Sequence, residues 1–367
     1  MGILQPIWDG TFVYREPVCF SADKDGRPTG GTLLYQPEEI LSVTSFDGSV
    51  FYQPVRDYTA NGRQLVRTEA SRIPYLERSV YCKPFTGVPE TAWVRLSGGK
   101  AYMEVVSDVY RWQTLVTYTH RDKWAGFQPE ACGESLPRSM EKLRAGGDFH
   151  LTFYGDSITA GWEASGCNER AIDMVTLGEY HVSLWHAPYQ PAWAELVTNA
   201  LQARYPQSNV IKTNRAAGGS TVQWGVEHAA ELVPPCKPDL IMLGFGMNSM
   251  QESAEDYRRA ILSIIRTIRK ECHDCEFVLM SPMIPNPEIK GFQNNQLPAQ
   301  QDVLYQIAAE LEGVCIAPVH SVFREMTARG KHYLELTGNC INHPNDFSVR
   351  VYAQTVLRTL GVDGNDG

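Results

Sequence analysis

The period of the apolar positions changes between residues 130 and 148. Before that stretch, Ser49 to Val55, Thr91 to Leu96, Ala101 to Val106 and Thr114 to Thr119 are rich in β-branched and aromatic residues. They are separated by turn clusters such as Ser97-Gly98-Gly99-Lys100, which predicts strands with no long helix between them. After it, strand-like runs near residues 150, 209, 239, 276 and 314 alternate with stretches of helical period. These are Gln190 to Tyr205, Ala254 to Cys272, Pro298 to Leu311, Val319 to Arg329 and a final amphipathic segment, Phe347 to Leu360. Strand and helix in alternation predict an α/β domain with a three-layer, doubly wound parallel sheet. Pro129, Pro137 and Gly146-Gly147, around a short charged helix Ser139 to Arg144, mark the boundary. The expected organisation is an all-β accessory domain over residues 1–130, a linker over 131–148 and the doubly wound domain over 149–362.

Open parallel sheets build their sites at strand C-termini, and three unusual segments fall there. His150 to Tyr154 runs into Gly155-Asp156-Ser157-Ile158-Thr159-Ala160-Gly161, a sharp turn that can present the Ser157 hydroxyl beside backbone N–H groups. Asn209 to Thr213 runs into Asn214-Arg215-Ala216-Ala217-Gly218-Gly219-Ser220-Thr221, and Asp239 to Leu243 into Gly244-Phe245-Gly246-Met247-Asn248-Ser249. A glycine lets a backbone N–H approach a ligand closely and an asparagine amide donates a hydrogen bond. Ser157 N–H, Gly219 N–H and the Asn248 side chain are therefore candidate oxyanion donors. A fourth segment, Gly338-Asn339-Cys340-Ile341-Asn342-His343-Pro344-Asn345-Asp346, precedes the last helix, and His343, held by the following proline, is the candidate general base. His320, His228 and His332 are the alternatives, each better read as a surface or core histidine.

Taken in order, Gly-Asp-Ser, Asn…Gly-Gly-Ser-Thr, Gly-x-Asn and His-Pro-Asn resemble the four sequence blocks of the SGNH (GDSL-type) hydrolase superfamily over about residues 149 to 362. The resemblance implies Ser157 as nucleophile, Gly219 and Asn248 as oxyanion donors and His343 as base. Gly219 is preferred to Gly218 because the family's glycine usually falls five residues after the asparagine of its block, here Asn214. One position departs from the pattern. The family usually carries an aspartate three residues before the histidine, and Cys340 stands there. A thiol is not a charged acceptor at neutral pH unless unusually acidic, so Glu335, Asp346 or a backbone carbonyl are the candidates for orienting His343. Some carbohydrate esterases of the superfamily work with a Ser-His dyad and a carbonyl, and that is the arrangement expected. The N-terminal part resembles, in architecture only, the jelly-roll-like β-sandwich that precedes the hydrolase domain in some two-domain carbohydrate esterases. Sugar binding, packing and oligomerisation are all open roles for it, and a homo-oligomer is one outcome.

Composition narrows the function. The net charge of −9 and the lack of a basic tract argue against a nucleic-acid partner. No apolar run approaches the length of a bilayer span, so no membrane partner is expected. The N-terminus lacks a basic region and an apolar signal core, and nine cysteines at irregular spacing suit reduced thiols, which gives a cytoplasmic expectation. Cys272-His273-Asp274-Cys275 is read as a loop rather than a metal or redox site. No phosphate or dinucleotide loop, His-Glu-x-x-His or Gly-x-Ser-x-Gly motif occurs, so no cofactor or metal is required. Aromatic residues of the insertion Trp162 to Trp185, together with Trp224, either ring the mouth of the site or pack in the core. The loop Met280 to Pro287 is read as bordering the pocket without a chemical role. The expected function is a serine esterase that deacetylates carbohydrates such as acetylated xylan or oligosaccharides. A general short-chain aryl or acyl esterase or thioesterase is the alternative, and a non-catalytic carbohydrate-binding protein is the alternative of another class.

Overall fold

The structure, a computed structural model, describes residues 3–84, 101–103 and 108–362. Thr91 to Leu96, the turn cluster 97–100 and the end of the run Ala101 to Val106 lie outside the described residues. Among the described residues of the N-terminal part, the regular structure is strands apart from short helical turns. These are β1 (Phe12–Cys19), β2 (Ser21–Ala22), β3 (Pro28–Thr29), β4 (Glu39–Ser45), β5 (Tyr58–Asn61) and β6 (Gln64–Arg67), then a four-residue helix α1 (Arg78–Tyr81), β7 (Cys82–Pro84), β8 (Ala101–Met103) and β9 (Gln113–Thr119). Strands β1, β9 and β4 form one antiparallel sheet in that order, and β2–β3, β5–β6 and β7–β8 are two-stranded ribbons. Ser49 to Val55 is not a strand. It closes a turn capped by Asp47, pairs with β4 through an isolated bridge at Phe51 rather than a ladder, and reaches a left-handed residue at Val55. Pro54 within the run removes a ladder donor, which is why its β-rich composition does not extend the sheet.

The remainder alternates as expected: α2 (Pro137–Ala145), β10 (Gly147–Gly155), a hairpin of β11 (Asn168–Ile172) and β12 (Glu179–Ser183), α3 (Trp193–Arg204), β13 (Ser208–Asn214), α4 (Val222–Leu232), β14 (Leu240–Gly244), α5 (Ala254–Arg269), β15 (Glu276–Met280), α6 (Leu297–Glu310), β16 (Val314–Ala317), α7 (Val319–Ala328), α8 (Tyr333–Leu336) and α9 (Asp346–Leu360). Five parallel strands lie in the order β13-β10-β14-β15-β16. Their successive residues serve opposite faces. Phe149, Leu151 and Phe153 of β10 face Trp193 and Val197 of α3 and Val349 and Val356 of α9. Tyr154, Ile241, Leu243 and Phe277 belong instead to the core under α4, α5 and α6. Both faces are covered, which is why these strands read as nearly continuous apolar runs. The segment read as a linker is folded onto the sheet, with Leu136, Met140 and Leu143 buried and the N-terminal N–H groups of α2 on the buried Glu276 carboxylate.

The N-terminal strands pack on the α9 side, where Ile7, Val13, Val18 and Tyr118 share one continuous core with Val349, Ala353 and Leu360. Polar contacts reinforce that junction at the base of the His343 loop. The Gln113 amide donates to the Leu334 and Thr337 carbonyls at 2.7 and 2.8 Å, and Asn345 donates back to Gln113 Oε1 at 3.1 Å. Because the chain passes from β10 to the edge strand β13 and then back across to β14, a crevice opens at the carboxyl ends of β10 and β14. Among the described residues, no helix is long and apolar enough to cross a membrane.

Candidate active site

Ser157, Gly219, Asn248 and His343 line one cavity of about 690 Å³, shared with Trp162, Met247, Met250, Gln251, Lys290, Phe292, Ile341 and Asn342. At its edge the ends of β10 and β14 come so close that a Cβ on Gly155 would lie 2.3 Å from the Gly244 carbonyl oxygen. Only glycine fits there, so the two strand ends can close on each other just ahead of Ser157. The Asp156 carboxylate accepts from the Ile158 N–H at 3.0 Å and also takes backbone N–H bonds from Thr159 and Met247. It thereby ties the serine turn to the loop that carries Asn248. Burial pushes its pKa up to about 7 against the lowering effect of those bonds.

The second loop is held by Asn214, whose amide donates to the Thr159 carbonyl at 3.0 Å and whose Oδ1 accepts the Ala216 N–H at 3.0 Å. Gly219 takes a left-handed φ of 80°, and no atom lies within 4 Å of where its Cβ would be. Among the described residues no protein group accepts from the Ser157 or Gly219 N–H. Asn248 is fixed by one amide hydrogen on the Ser220 carbonyl, at 3.0 Å, which leaves the other to serve a ligand.

On the opposite wall, Asn339 shapes the histidine loop, its Oδ1 accepting from the N–H groups of Ile341, Asn342 and His343 at 2.9, 3.0 and 3.1 Å. The Gly338 N–H closes the loop on the His343 carbonyl at 2.9 Å. His343 Nε2 then lies 2.9 Å from Ser157 Oγ, with both residues buried. This is the geometry a hydroxyl needs to pass its proton to an imidazole as it attacks. The alternative histidines are elsewhere. His320 is buried and His332 half-buried, each with its pKa lowered to about 4 by lost hydration, and His228 packs on Trp224.

None of the candidates for orienting His343 reaches it. Glu335 Oε1 accepts from the Cys19 and Gly31 N–H groups and Oε2 from the His332 N–H and the Lys331 ammonium. Asp346 is bound by the Ser165 N–H at 2.8 Å and the Ser165 hydroxyl at 2.7 Å. Burial, with smaller contributions from Cys82 and Glu163, pushes the Cys340 thiol far up, and a neutral thiol is a poor acceptor. The expected backbone carbonyl is not there either, because His343 Nδ1 has no hydrogen-bond partner among the described residues. The carboxylate that stands beside it is Glu163, with Oε1 3.9 Å from Nδ1. It lies six residues after Ser157 and outside all four blocks, so no motif points to it. Asn339 carried a usable signal, since an asparagine ahead of His-Pro is a turn former.

The aromatic expectation divides. Trp162 lines the cavity with its ring edge-on to His343, centroids 5.5 Å apart. Trp224 packs on Tyr154 and donates to the Met174 carbonyl, and Trp185 lies on the surface against Tyr189. The Met280–Pro287 loop supports the site from behind through the Asn286 side chain on the Cys340 carbonyl, at 2.7 Å, and the cavity is instead lined by Lys290 and Phe292 just beyond it.

Residues 153–348, more than half of the chain, match the GDSL-like lipase/acylhydrolase family. The chain belongs to that family. It is therefore a carboxylic ester hydrolase of the SGNH type. Among solved structures, a two-domain esterase active on acetylated mannans, co-crystallised with mannopentaose, is 20% identical with a TM-score of 0.48, covering 64% of this chain and 54% of its own. The SGNH chain thus spans about half the length of that esterase. The acetylxylan esterase Axe2 of Geobacillus stearothermophilus is 21% identical with a TM-score of 0.46, covering 59% of this chain and 96% of its own. Comparison with curated protein sequences gives no significant match.

Proposed function

We propose that this hydrolase removes short acyl groups, acetyl foremost, from carbohydrates through an acyl-enzyme on Ser157. The observation that carries the reading is the 2.9 Å contact between Ser157 Oγ and His343 Nε2 in the same cavity as Gly219 and Asn248. His343 Nε2 takes the Ser157 proton as Oγ bonds to the ester carbonyl carbon, and the carbonyl electron pair moves to oxygen. Ser157 N–H, Gly219 N–H and the Asn248 amide receive that oxyanion. The intermediate collapses, the sugar oxygen leaves with the proton from Nε2, and His343 then deprotonates a water that releases the acid and restores Ser157.

A sugar suits the cavity because Trp162 puts an aromatic ring in its lining while Gln251, Lys290 and Asn342 offer hydrogen bonds around it. The test is acetate release from acetylated xylo- and manno-oligosaccharides beside p-nitrophenyl esters of increasing chain length. Sugar esters should be cleaved and aryl ester rates should fall beyond acetyl. Cleavage of aryl esters alone would instead indicate a general short-chain esterase or thioesterase, and rates that rise with chain length would overturn the acetyl preference.

The Asn248→Ala variant should lose about 10²–10³ in kcat with little change in KM, the loss measured for single oxyanion donors. Near-normal turnover would remove Asn248 from the oxyanion hole.

A further inference from the structure

We propose that Glu163 is the positioning residue for His343, replacing from the serine loop the aspartate that Cys340 displaces from the histidine loop. The inference rests on the Ser157–His343 reading. For Nε2 to accept the serine proton, the neutral imidazole must carry its own hydrogen on Nδ1. That Nδ1 is buried without a hydrogen-bond partner, which costs stability unless an acceptor closes on it. The acceptor at hand is Glu163 Oε1, 3.9 Å away, on a side chain that is 12% exposed. Among the described residues His343 is the one basic group that Glu163 approaches.

Two further features hold the carboxylate there. Glu163 has a left-handed φ of 69°, which is uncommon for a residue with a long side chain and is retained only where its surroundings require it. In addition, a Cβ on Gly338 would lie 2.6 Å from Glu163 Cβ, so the absence of a side chain at the start of the histidine loop is what lets Glu163 lie against it. From 3.9 Å, a shift of roughly 1 Å brings Oε1 into hydrogen-bond range of Nδ1, and apo catalytic bonds commonly tighten in this way when substrate binds. As His343 takes the serine proton, its imidazolium then faces a carboxylate.

The experiment compares Glu163→Gln with Glu163→Gln/Cys340→Asp on a p-nitrophenyl acetate series, alongside serine-directed phosphonate labelling. Glu163→Gln should lower kcat by about 10²–10⁴-fold with KM within about threefold, as loss of the orienting acid does in other triads. Restoring a carboxylate on the histidine loop should recover at least about tenfold of that loss. Cys340 has a left-handed φ of 64°, a conformation that aspartate tolerates well. A Glu163→Gln enzyme within about threefold of wild-type kcat would overturn the proposal while leaving the Ser157–His343 reading intact. A wild-type protein that neither hydrolyses esters nor reacts with the phosphonate would overturn both. If Glu163→Gln does not fold, Glu163→Asp decides the matter: it keeps the charge on a shorter arm, so a fold-preserving variant with unchanged kcat would equally sink the idea.

Discussion

Ser157→Ala is expected to lower kcat by about 10⁶-fold, and His343→Ala by about as much, with the double variant no slower than either alone. The reason is the single 2.9 Å bond between them. Without Oγ there is no atom to form the acyl-enzyme, and without Nε2 the hydroxyl keeps its proton, so either loss disables the same step. What activity survives should come from the Gly219 and Asn248 donors acting on a water attack. Steady-state kinetics on p-nitrophenyl acetate, with phosphonate labelling to confirm that Ser157 is the modified residue, checks this. Losses that add in the double variant would show that the two residues do not act as a unit.

The second large effect concerns stability. Lys331→Met should destabilise the fold by about 3–5 kcal/mol, read as a fall in the denaturant midpoint. Lys331 is fully buried, with its ammonium 3.0 Å from Glu16, 3.3 Å from Glu335 and 2.6 Å from the Pro17 carbonyl. Glu16 and Glu335 are also fully buried, so removing the cation strands two carboxylates away from water. Burial alone would lower the lysine pKa, but Glu16 and Glu335 outweigh it and raise it above 10.5. A raised lysine pKa gives stability that is fully present below the unfolded value and is lost only as pH rises through the folded one, so the contribution persists throughout the neutral range. Because Glu16 lies on β1 and Glu335 on α8, just ahead of the His343 loop, the variant should also lower kcat in whatever fraction stays folded. A shift under about 1 kcal/mol would mean that the carboxylates find other partners.

The four blocks were legible in the sequence because each is local. A strand end, a tight turn and one chemical group fall within a few residues, and the strand periodicity says which end of the sheet they share. The parallel sheet and its helices were legible for the same reason, as was α9 from its apolar stripe, whereas α4 was missed. What escaped was non-local. Glu163 follows the serine block without any pattern of its own, and it reaches His343 only because the chain, after 175 further residues, brings a side-chain-free Gly338 against it. Glu335 and Asp346 were equally good acids on paper, and burial against Lys331 and Ser165 took them out of reach. Trp162 and Trp224 are likewise indistinguishable by type, and one lines the cavity while the other packs on Tyr154. The sequence by itself determined the fold class and the order of the loops that carry Ser157, Gly219, Asn248 and His343, since these follow from residue type and period. Which carboxylate faces His343, and how the N-terminal strands brace the loop that carries it, only the tertiary structure decided, because both depend on distances between residues that the chain's local pattern does not encode.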